Sequence, residues 1–250
     1  IDLFSGAGGM SLGALQSGID VQLVVESDRH ACATYKKNHS PALGIFNKDI
    51  KLLNPKNYSF ERENGIVLFG GPPCQGFSTS NQRTRSSLNS SNWLFREFLR
   101  VVDAIKPDWV VFENVKGILE TENGMFVKEI DKHLKKNGYT TSHSILCAHD
   151  FGVPQKRARF FIVASRHGIS FQFPTPSTAK KLTVKEAIED LPLLENGASD
   201  CYQLYSSPAK SPYAIEMRAK EGGCHNHLVT KNSPTIIERY KHVPQGGNWE

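Results

Sequence analysis

The chain has 250 residues, of which 39% are hydrophobic and 22% charged, with 20 Gly and 13 Pro. This composition is that of an ordinary globular protein and excludes a collagen-like, coiled-coil or largely disordered chain. The formal net charge of +5 permits a polyanionic partner without requiring one. Five Cys without a Cys-x-x-Cys pair argue against a disulfide framework or a thiolate zinc site, so we expect reduced thiols and no metal.

The sequence contains no signal for a membrane. No uncharged apolar run approaches the roughly 18 residues of a membrane span. The first ten residues lack the basic and apolar regions of a secretory signal. We therefore expect a cytoplasmic protein without a membrane partner. The last residues, GNWE, form no closing element, so we also expect the native chain to continue beyond residue 250.

Six short apolar runs, rich in Val, Ile and Phe, predict buried parallel strands. They occupy residues 1–4, 21–25, 66–69, 109–112, 144–148 and 159–165. Amphipathic segments predict helices over 93–105, ended by Pro107, and over 125–137, ended by Gly138. This alternation predicts an α/β fold with an open, mostly parallel sheet covered by helices on both faces. Such sheets bind ligands at the carboxyl ends of their strands.

The character of the sequence changes near residue 170. Residues 171–181 form a linker rich in Pro, Ser, Thr and Lys, and Thr183 with Glu186 predicts a capping box that opens a short helix. From residue 195 onward the chain is polar and weakly periodic. We therefore expect a catalytic and cofactor-binding domain over 1–170. We expect a linker and part of a smaller, irregular region over 171–250.

A glycine-rich loop follows the first predicted strand. Its glycines, Gly6, Gly8 and Gly9, allow a sharp turn and close approach to a ligand, although a purely structural turn explains the loop about equally well. Ser11 stands where a dinucleotide-binding loop has its third glycine, which argues against an NAD enzyme. Glu26 lies where a carboxylate binds a ribose diol, unless it is an ordinary solvated acid, and Asp49 is a weaker candidate for an adenine contact. Together they indicate a nucleoside-bearing cofactor without a pyrophosphate.

A second loop, GGPPCQGFS at residues 70–78, follows the third predicted strand. Two prolines stop the chain from continuing the sheet, and the glycines supply bends, so the loop presents Cys74 at the ligand-binding edge. Most cysteines are small buried hydrophobes. Because Cys74 lies in a polar loop rather than in an apolar run, we interpret it as a thiolate nucleophile.

Two further motifs carry charge toward the same edge. Glu113 ends the predicted strand at 109–112, where burial would raise the pKa of its carboxyl and let it donate to a ring nitrogen; a helix-capping acid is the alternative. Gln155, Arg157 and Arg159 alternate, so an extended segment would place them on one face. Two guanidiniums there suit a phosphate or a carbonyl-bearing base, whereas a solvated edge strand is the alternative.

The segments FSGAGG, GPPCQGFS, ENV and QKRARF, in this order and spacing, closely resemble the DNA (cytosine-5) methyltransferase family. The resemblance covers residues 1–165 well and continues more loosely to 250. It implies a Rossmann-like fold that uses S-adenosylmethionine and releases S-adenosylhomocysteine. It implies cofactor contacts from Phe4, Ser5, Gly6, Gly8, Gly9, Glu26, Asp49, Ile50 and Pro72, and catalytic roles for Cys74, Glu113, Arg157 and Arg159.

The chemistry implied by this resemblance is a transfer of methyl to C5 of cytosine. The Cys74 thiolate would attack C6 and make C5 enamine-like, while Glu113 would hydrogen bond to or protonate N3. Loss of the C5 proton and of Cys74 would then restore the ring. The target base must be flipped out of its duplex. We expect residues 78–92 to close over the DNA, with Arg83 and Arg85 contacting phosphates, whereas a disordered insertion is the alternative.

The implied partner is double-stranded DNA, in a bacterial restriction–modification system and near the nucleoid. A cognate restriction endonuclease would act on the same site without a stable complex, and we expect a monomer. The family's recognition region and its last block are incomplete in these 250 residues. Two alternatives stay open: a transfer-RNA cytosine-5 methyltransferase of the same family, and a catalytically silent DNA-binding relative. The presence of Cys74 and Glu113 argues against the silent relative.

Overall fold

The computed structural model describes residues 1–73, 93–177, 181–218, 222–244 and 247. Contacts divide the chain into two compact units. The first comprises Ile1–Asp150 and Lys156–Pro176, and the second comprises Phe151–Gln155 and Ser177–Glu250. Among the described residues, the helices are too short or too polar for any of them to cross a bilayer.

The first unit is built on a sheet that has seven strands within the described residues. The strands are β1 (Asp2–Leu3), β2 (Val24–Val25), β3 (Ile45–Phe46), β4 (Val67–Gly70), β5 (Trp109–Val115), β6 (Thr140–Cys147) and β7 (Ala158–Ser165). Their order is β3-β2-β1-β4-β5-β7-β6. Strand β7 runs antiparallel to both of its neighbours, and the other pairs are parallel. The predicted open, mostly parallel sheet is therefore confirmed.

In the described part of the first unit, four helices of eight or more residues flank this sheet: α1 (Gly9–Gln16), α2 (Arg29–Asn38), α3 (Leu94–Ile105) and α4 (Met125–Lys136). Helix α2 begins at Asp28, whose carboxylate accepts hydrogen bonds from the backbone N–H groups of His30 and Ala31. Helix α3 ends at Lys106, which adopts a left-handed conformation directly before Pro107. The helices predicted over 93–105 and 125–137 are thus confirmed to within a residue.

Apolar side chains cover both faces of the sheet. On one face, α3 and α4 contribute Phe98 and Leu134 to a cluster that includes Val110 and Phe112 of β5. On the other face, Tyr35 of α2 packs with Val24 and Phe69, and with Met10 and Ala14 of α1. Because both faces are buried, the strands read as continuous apolar runs rather than alternating ones.

Several details of the predicted elements were wrong. Strand β6 begins at Thr140 rather than at residue 144, and β7 runs antiparallel to its neighbours although a parallel strand was predicted. Strand β5 does not stop at residue 112 but continues to Val115, because it pairs along its whole length with β7, with Glu113 opposite Phe161. Glu113 therefore lies inside a strand, and the alternative of a helix-capping acid is excluded. Strand β3 was not predicted, since a two-residue strand leaves no periodic signal.

The second unit contains three short helices and a two-stranded sheet among its described residues. They are α5 (Val184–Ile188), β8 (Tyr202–Leu204), α6 (Pro212–Arg218), β9 (Gly223–His225) and α7 (Pro234–Lys241). The capping box of Thr183 and Glu186 is confirmed. The antiparallel pairing of β8 with β9 was not predicted, because it joins segments about 20 residues apart that lack strand periodicity.

Candidate active site

The glycine-rich loop makes a tight turn at the carboxyl end of β1. Phe4 and Gly6 have positive φ values of 60° and 56°, and the backbone N–H of Phe4 donates to the carbonyl of Val25 in β2. The N–H of Gly6 donates to Oε2 of Glu26 over 2.8 Å. A β-carbon on Gly6 or Gly9 would meet no atom within 4 Å, so the turn is open at these positions. The predicted loop and the predicted carboxylate are therefore in direct contact.

A buried polar network holds the loop from below. Ser11 of α1 donates to Oδ2 of Asp2 over 2.6 Å and accepts from the Tyr35 hydroxyl over 2.8 Å. Burial raises the pKa of Asp2 to about 7. Gly8 faces this network rather than open space, since a β-carbon there would lie 2.6 Å from Nε2 of His39 and 2.8 Å from Cδ2 of Tyr35. Gly8 thus serves the packing of α1 against α2.

A cleft of about 310 Å³ opens beside the glycine turn. Four of the predicted cofactor residues line it: Phe4, Glu26, Asp49 and Ile50. Gly71 and Pro73, which belong to the predicted loop at residues 70–78, also line the cleft. The remaining lining residues were not predicted as site residues, and they are Val25, Ser27, Lys48 and Leu94. Ser5, Gly6, Gly8, Gly9 and Pro72 are not part of this lining. The cleft is formed where β1, β2 and β4 end, as expected for a sheet of this type.

The hydrogen-bond acceptors and the apolar side chains of the cleft fit a nucleoside. The two carboxylate oxygens of Glu26 accept backbone N–H groups from Gly6 and Asp28, both over 2.8 Å, which fixes the carboxylate at the rim. Asp49 caps the next turn through Oδ1, which accepts from the N–H of Lys51 over 2.9 Å. The aromatic ring of Phe4 and the aliphatic side chain of Ile50 add apolar surface to the lining. Carboxylates suit hydroxyl and amino donors, and the apolar surface suits a purine.

Glu113 and Arg159 form an ion pair on the face of β5 and β7 that adjoins this cleft. Nε of Arg159 lies 2.9 Å from Oε1 of Glu113, and the two side chains are 20% and 22% exposed. Burial raises the pKa of Glu113, and the nearby guanidiniums of Arg159 and Arg157 oppose this shift. A β-carbon on Gly71 would lie 2.7 Å from Oε2 of Glu113. Because Gly71 also lines the cleft, it separates the acid from the cleft by a single backbone segment.

Asn114 is a functional candidate that the sequence analysis missed. Its side chain is 3% exposed, and its Nδ2 donates to the carbonyl of Pro72 over 3.1 Å. The amide thereby anchors the start of the segment that carries Cys74. In the sequence, the signal for Asn114 was its position directly after Glu113 in the ENV motif. The burial that makes its amide need a hydrogen-bond partner is visible only in the folded chain.

Of the remaining predicted residues, one lies near Glu113, one belongs to the second unit, and three are not among the described residues. Arg157 directly precedes β7 and acts on Glu113 electrostatically, whereas Gln155 belongs to the second unit. Cys74, Arg83 and Arg85 lie outside the described residues. Among the described residues, Cys32, Cys147, Cys201 and Cys224 are free thiols, and no His, Cys, Asp and Glu cluster could hold a metal ion.

Comparisons with known proteins agree with these features. The family model described as C-5 cytosine-specific DNA methylase matches residues 1–235. The chain belongs to this family. The resemblance inferred from the four motifs is therefore confirmed, and the matched region includes the glycine loop, the Glu113–Arg159 pair and most of the second unit.

Individual relatives support the same family. Type II methyltransferase M.DdeI of Desulfomicrobium norvegicum is 34% identical over 255 residues, covering 98% of this chain and 61% of that protein. Type II methyltransferase M1.HphI of Haemophilus parahaemolyticus is 35% identical over 248 residues, covering 97% of this chain and 66% of that protein. The chain thus spans less than two thirds of either relative.

A solved structure supports the fold. An E. coli protein described as a DNA modification methyltransferase encoded within a prophage has a TM-score of 0.76 and 26% identity. The match covers 97% of this chain and 74% of that chain. The predicted methyltransferase fold, with helices on both faces of the sheet, is therefore confirmed.

Proposed function

We propose that this chain carries the catalytic and cofactor-binding part of a DNA cytosine-5 methyltransferase from a restriction–modification system. The observation that carries the proposal is the Glu113–Arg159 pair, held at 2.9 Å one backbone segment away from a nucleoside-sized cleft. A carboxyl with a raised pKa beside a guanidinium can donate to a ring nitrogen and bind a carbonyl oxygen at once. Cytosine offers both groups, N3 and O2, on one edge.

The cofactor of this proposal is S-adenosylmethionine, which the methyltransferase family and fold imply. When bound, it supplies an electrophilic methyl group on a sulfonium. Glu26 would hold the ribose hydroxyls, and Asp49 with Ile50 would meet the adenine. Phe4, Ser5, Gly6 and Gly9 would line the methionine end beside the open turn, with Gly8 and Pro72 shaping the backbone around it.

Four side chains supply the protein's part of the reaction. The Cys74 thiolate adds to C6 of cytosine, and the displaced π electrons move toward N3, where Glu113 donates a hydrogen bond or its proton. The enamine electron pair would then form the C5–methyl bond while the methyl–sulfur bond of the sulfonium breaks and S-adenosylhomocysteine leaves, and the N3 proton would return to Glu113. Solvent water would accept the C5 proton, and the electron pair of that C–H bond would expel the Cys74 thiolate and restore the C5–C6 double bond. Arg159, together with Arg157, keeps Glu113 in place and binds the carbonyl edge of the base.

Duplex DNA is the substrate we propose. Residues 151–176, which include β7, contain four Lys and Arg residues and no Asp or Glu, so this segment carries a net positive charge. Phosphates of DNA are attracted to such a segment irrespective of sequence.

We propose a catalytic domain over 1–170 and a linker with part of the recognition region over 171–250. The enzyme would be a bacterial, cytoplasmic monomer beside the nucleoid, paired with a restriction endonuclease of the same specificity but not bound to it.

Bisulfite sequencing tests this function. The whole protein that contains this chain is expressed in a host without cytosine methylation, beside a Cys74→Ser control. We expect protected cytosines at one recurrent short sequence in the genome, and none in the control. Methylation confined to transfer RNA would contradict the DNA substrate. Absence of any methylated cytosine, with the protein folded and S-adenosylmethionine bound, would contradict the activity.

A further inference from the structure

The cleft wall that carries Asp49 and Ile50 is a single turn of 3-10 helix, Ile50–Leu52. Its own hydrogen bonds are few. The N–H of Leu52 donates to the carbonyl of Asp49 over 2.9 Å, and the N–H of Leu53 donates to the carbonyl of Ile50 over 3.0 Å. A 3-10 turn has poorer hydrogen-bond geometry than an α-helix, so its shape depends on support from elsewhere in the fold.

Arg100 of α3 supplies that support. Its Nη2 donates to the carbonyl of Ile50 over 2.8 Å, and its Nη1 donates to the carbonyl of Leu53 over 3.1 Å. Its Nε donates to Oε2 of Glu97 over 2.7 Å, which fixes the plane of the guanidinium. One rigid, planar guanidinium therefore bridges the carbonyl of the first residue of the turn and the carbonyl of the residue that follows the turn. Arg100 lies about 50 residues from both in sequence.

Helix α3 contacts the same cleft directly as well. Leu94, in its first turn, lines the cleft, whereas Arg100 does not. Ile50 and Leu53 are each 3% exposed and belong to the apolar cluster that contains Phe98 and Leu99 of α3. Helix α3 thus shares an apolar cluster with the turn, and its Arg100 donates hydrogen bonds to the backbone carbonyls of the turn.

We propose that Arg100 is a positioning residue for S-adenosylmethionine, which fixes the turn after Asp49 so that this wall is preformed for the adenine. The inference rests on the proposed function, because it concerns the cofactor of that same site. Arg100 acts through the turn rather than by contact with the cofactor. Because a preformed wall loses less conformational entropy when the ligand binds, we expect Arg100 to increase the affinity for the cofactor.

Replacement by lysine separates positioning from simple stabilisation. A lysine keeps the positive charge, but its single ammonium nitrogen on a flexible stem cannot reproduce the planar, two-point bridge. A displaced wall weakens adenine binding in the ground state and the transition state alike, which raises KM and leaves kcat unchanged. A purely structural defect instead reduces the folded fraction of enzyme, which lowers apparent kcat and leaves KM unchanged.

The experiment compares Arg100→Lys with Arg62→Lys in the whole protein. Arg62 is a matched control, since its Nη2 also donates to a distant backbone carbonyl, that of Ile105 over 2.6 Å, but Ile105, unlike Ile50, does not line the cleft. We measure KM and kcat for S-adenosylmethionine at saturating DNA, and the Kd of S-adenosylhomocysteine by calorimetry. We expect Arg100→Lys to raise KM and Kd by about tenfold, the effect of one lost hydrogen bond from a charged donor. The kcat should stay within about twofold, and Arg62→Lys should leave KM and Kd unchanged.

Several results would overturn the inference. They are an unchanged KM and Kd in Arg100→Lys, or an equal rise in Arg62→Lys. If melting shows that Arg100→Lys does not fold, Glu97→Gln takes its place, because it removes the charged acceptor that orients the guanidinium. A rise in KM for Glu97→Gln supports the inference, and an unchanged KM overturns it. A wild-type protein that binds no S-adenosylhomocysteine would overturn the proposed cofactor itself, which distinguishes that failure from a failure of Arg100 alone.

Discussion

The two units of this chain are stabilised in different ways. The first buries large rings and aliphatic chains, and Phe98, Phe112 and Phe126 are each 0% exposed. In the described part of the second unit, the buried hydrophobic side chains are Ala187 and Ala214 only, and Leu193 is 99% exposed. A seven-stranded sheet with two covered faces requires extensive apolar burial, whereas short helices beside a two-stranded sheet offer little apolar surface to bury.

Polar contacts take the place of an apolar core in the second unit. Asp190 is fully buried and accepts two hydrogen bonds from Arg218, over 2.6 and 2.8 Å. Arg218 also donates to the carbonyl of Ala187 over 2.7 Å, and Ser211 donates to the carbonyl of Glu186 over 2.6 Å. The comparison teaches that the apolar burial of the first unit supports the site proposed for Glu113, while the second unit depends on a few specific polar partners.

The largest expected effect is on chemistry in the first unit. Glu113→Gln removes the proposed proton donor, and we expect kcat for DNA methylation to fall by about 10²- to 10⁴-fold. Since burial raises the pKa of Glu113, the wild-type rate should fall as pH rises through that pKa, because the protonated acid is lost. The variant should lack this dependence.

Steady-state methylation between about pH 5 and 9 measures both effects. Glu120→Gln is the control, since Glu120 is exposed on the same unit and should behave as the wild type. A Glu113→Gln enzyme with the wild-type rate and pH profile would show that the acid is structural.

The next effect is on the stability of the second unit. Arg218→Met leaves the Asp190 carboxylate buried without a partner, and we expect a loss of about 3–5 kcal/mol of unfolding free energy. Because Arg218 lowers the pKa of Asp190, the pair stabilises the fold above the ordinary pKa of Asp, and this stabilisation is lost as pH falls through the lowered value. Urea unfolding with hydrogen exchange on α5 and α6 measures the loss.

An exposed ion pair provides the control for Arg218. Lys241 and Glu238 lie 2.7 Å apart, but their side chains are 65% and 62% exposed. Lys241→Met should therefore cost at most about 1 kcal/mol. Equal costs for the two substitutions would refute the view that the second unit depends on its buried pair.

The smallest predicted effect concerns the apolar core of the first unit. Leu134 of α4 is 0% exposed, so Leu134→Ala should cost about 2–5 kcal/mol in the first unit. Leu193→Ala, in the second unit, should change stability by less than about 0.5 kcal/mol. Urea unfolding of both variants measures the contrast, which would disappear if the second unit also relied on apolar burial.

The same contrast explains what could be predicted from the sequence. Apolar runs and amphipathic segments predicted the sheet, α3 and α4, because burial on two faces imposes a pattern on neighbouring residues. The end of β5 was missed, since its last residues are held by pairing with a strand more than 40 residues away. In the second unit, Asp190 and Arg218 are 28 residues apart and leave no periodic signal.

The candidate site shows the same division. Gly6, Glu26 and Glu113 follow strand ends or occupy short motifs, so residue type and spacing indicated them. Asn114 and Arg100 act through hydrogen bonds to the backbone of distant segments, and such bonds leave no constraint on the residue type of the partner. Contacts of this kind become visible only once the chain is folded.

Covalent trapping tests the central claim most directly. Duplex DNA with 5-fluorocytosine in its target sites is incubated with the whole protein and S-adenosylmethionine, because fluorine at C5 blocks the elimination that releases the enzyme. We predict a covalent complex whose peptide map places the DNA on Cys74, and no complex with Cys74→Ser. Release of methylated product by Cys74→Ser, or a DNA adduct on any other residue, would contradict the account.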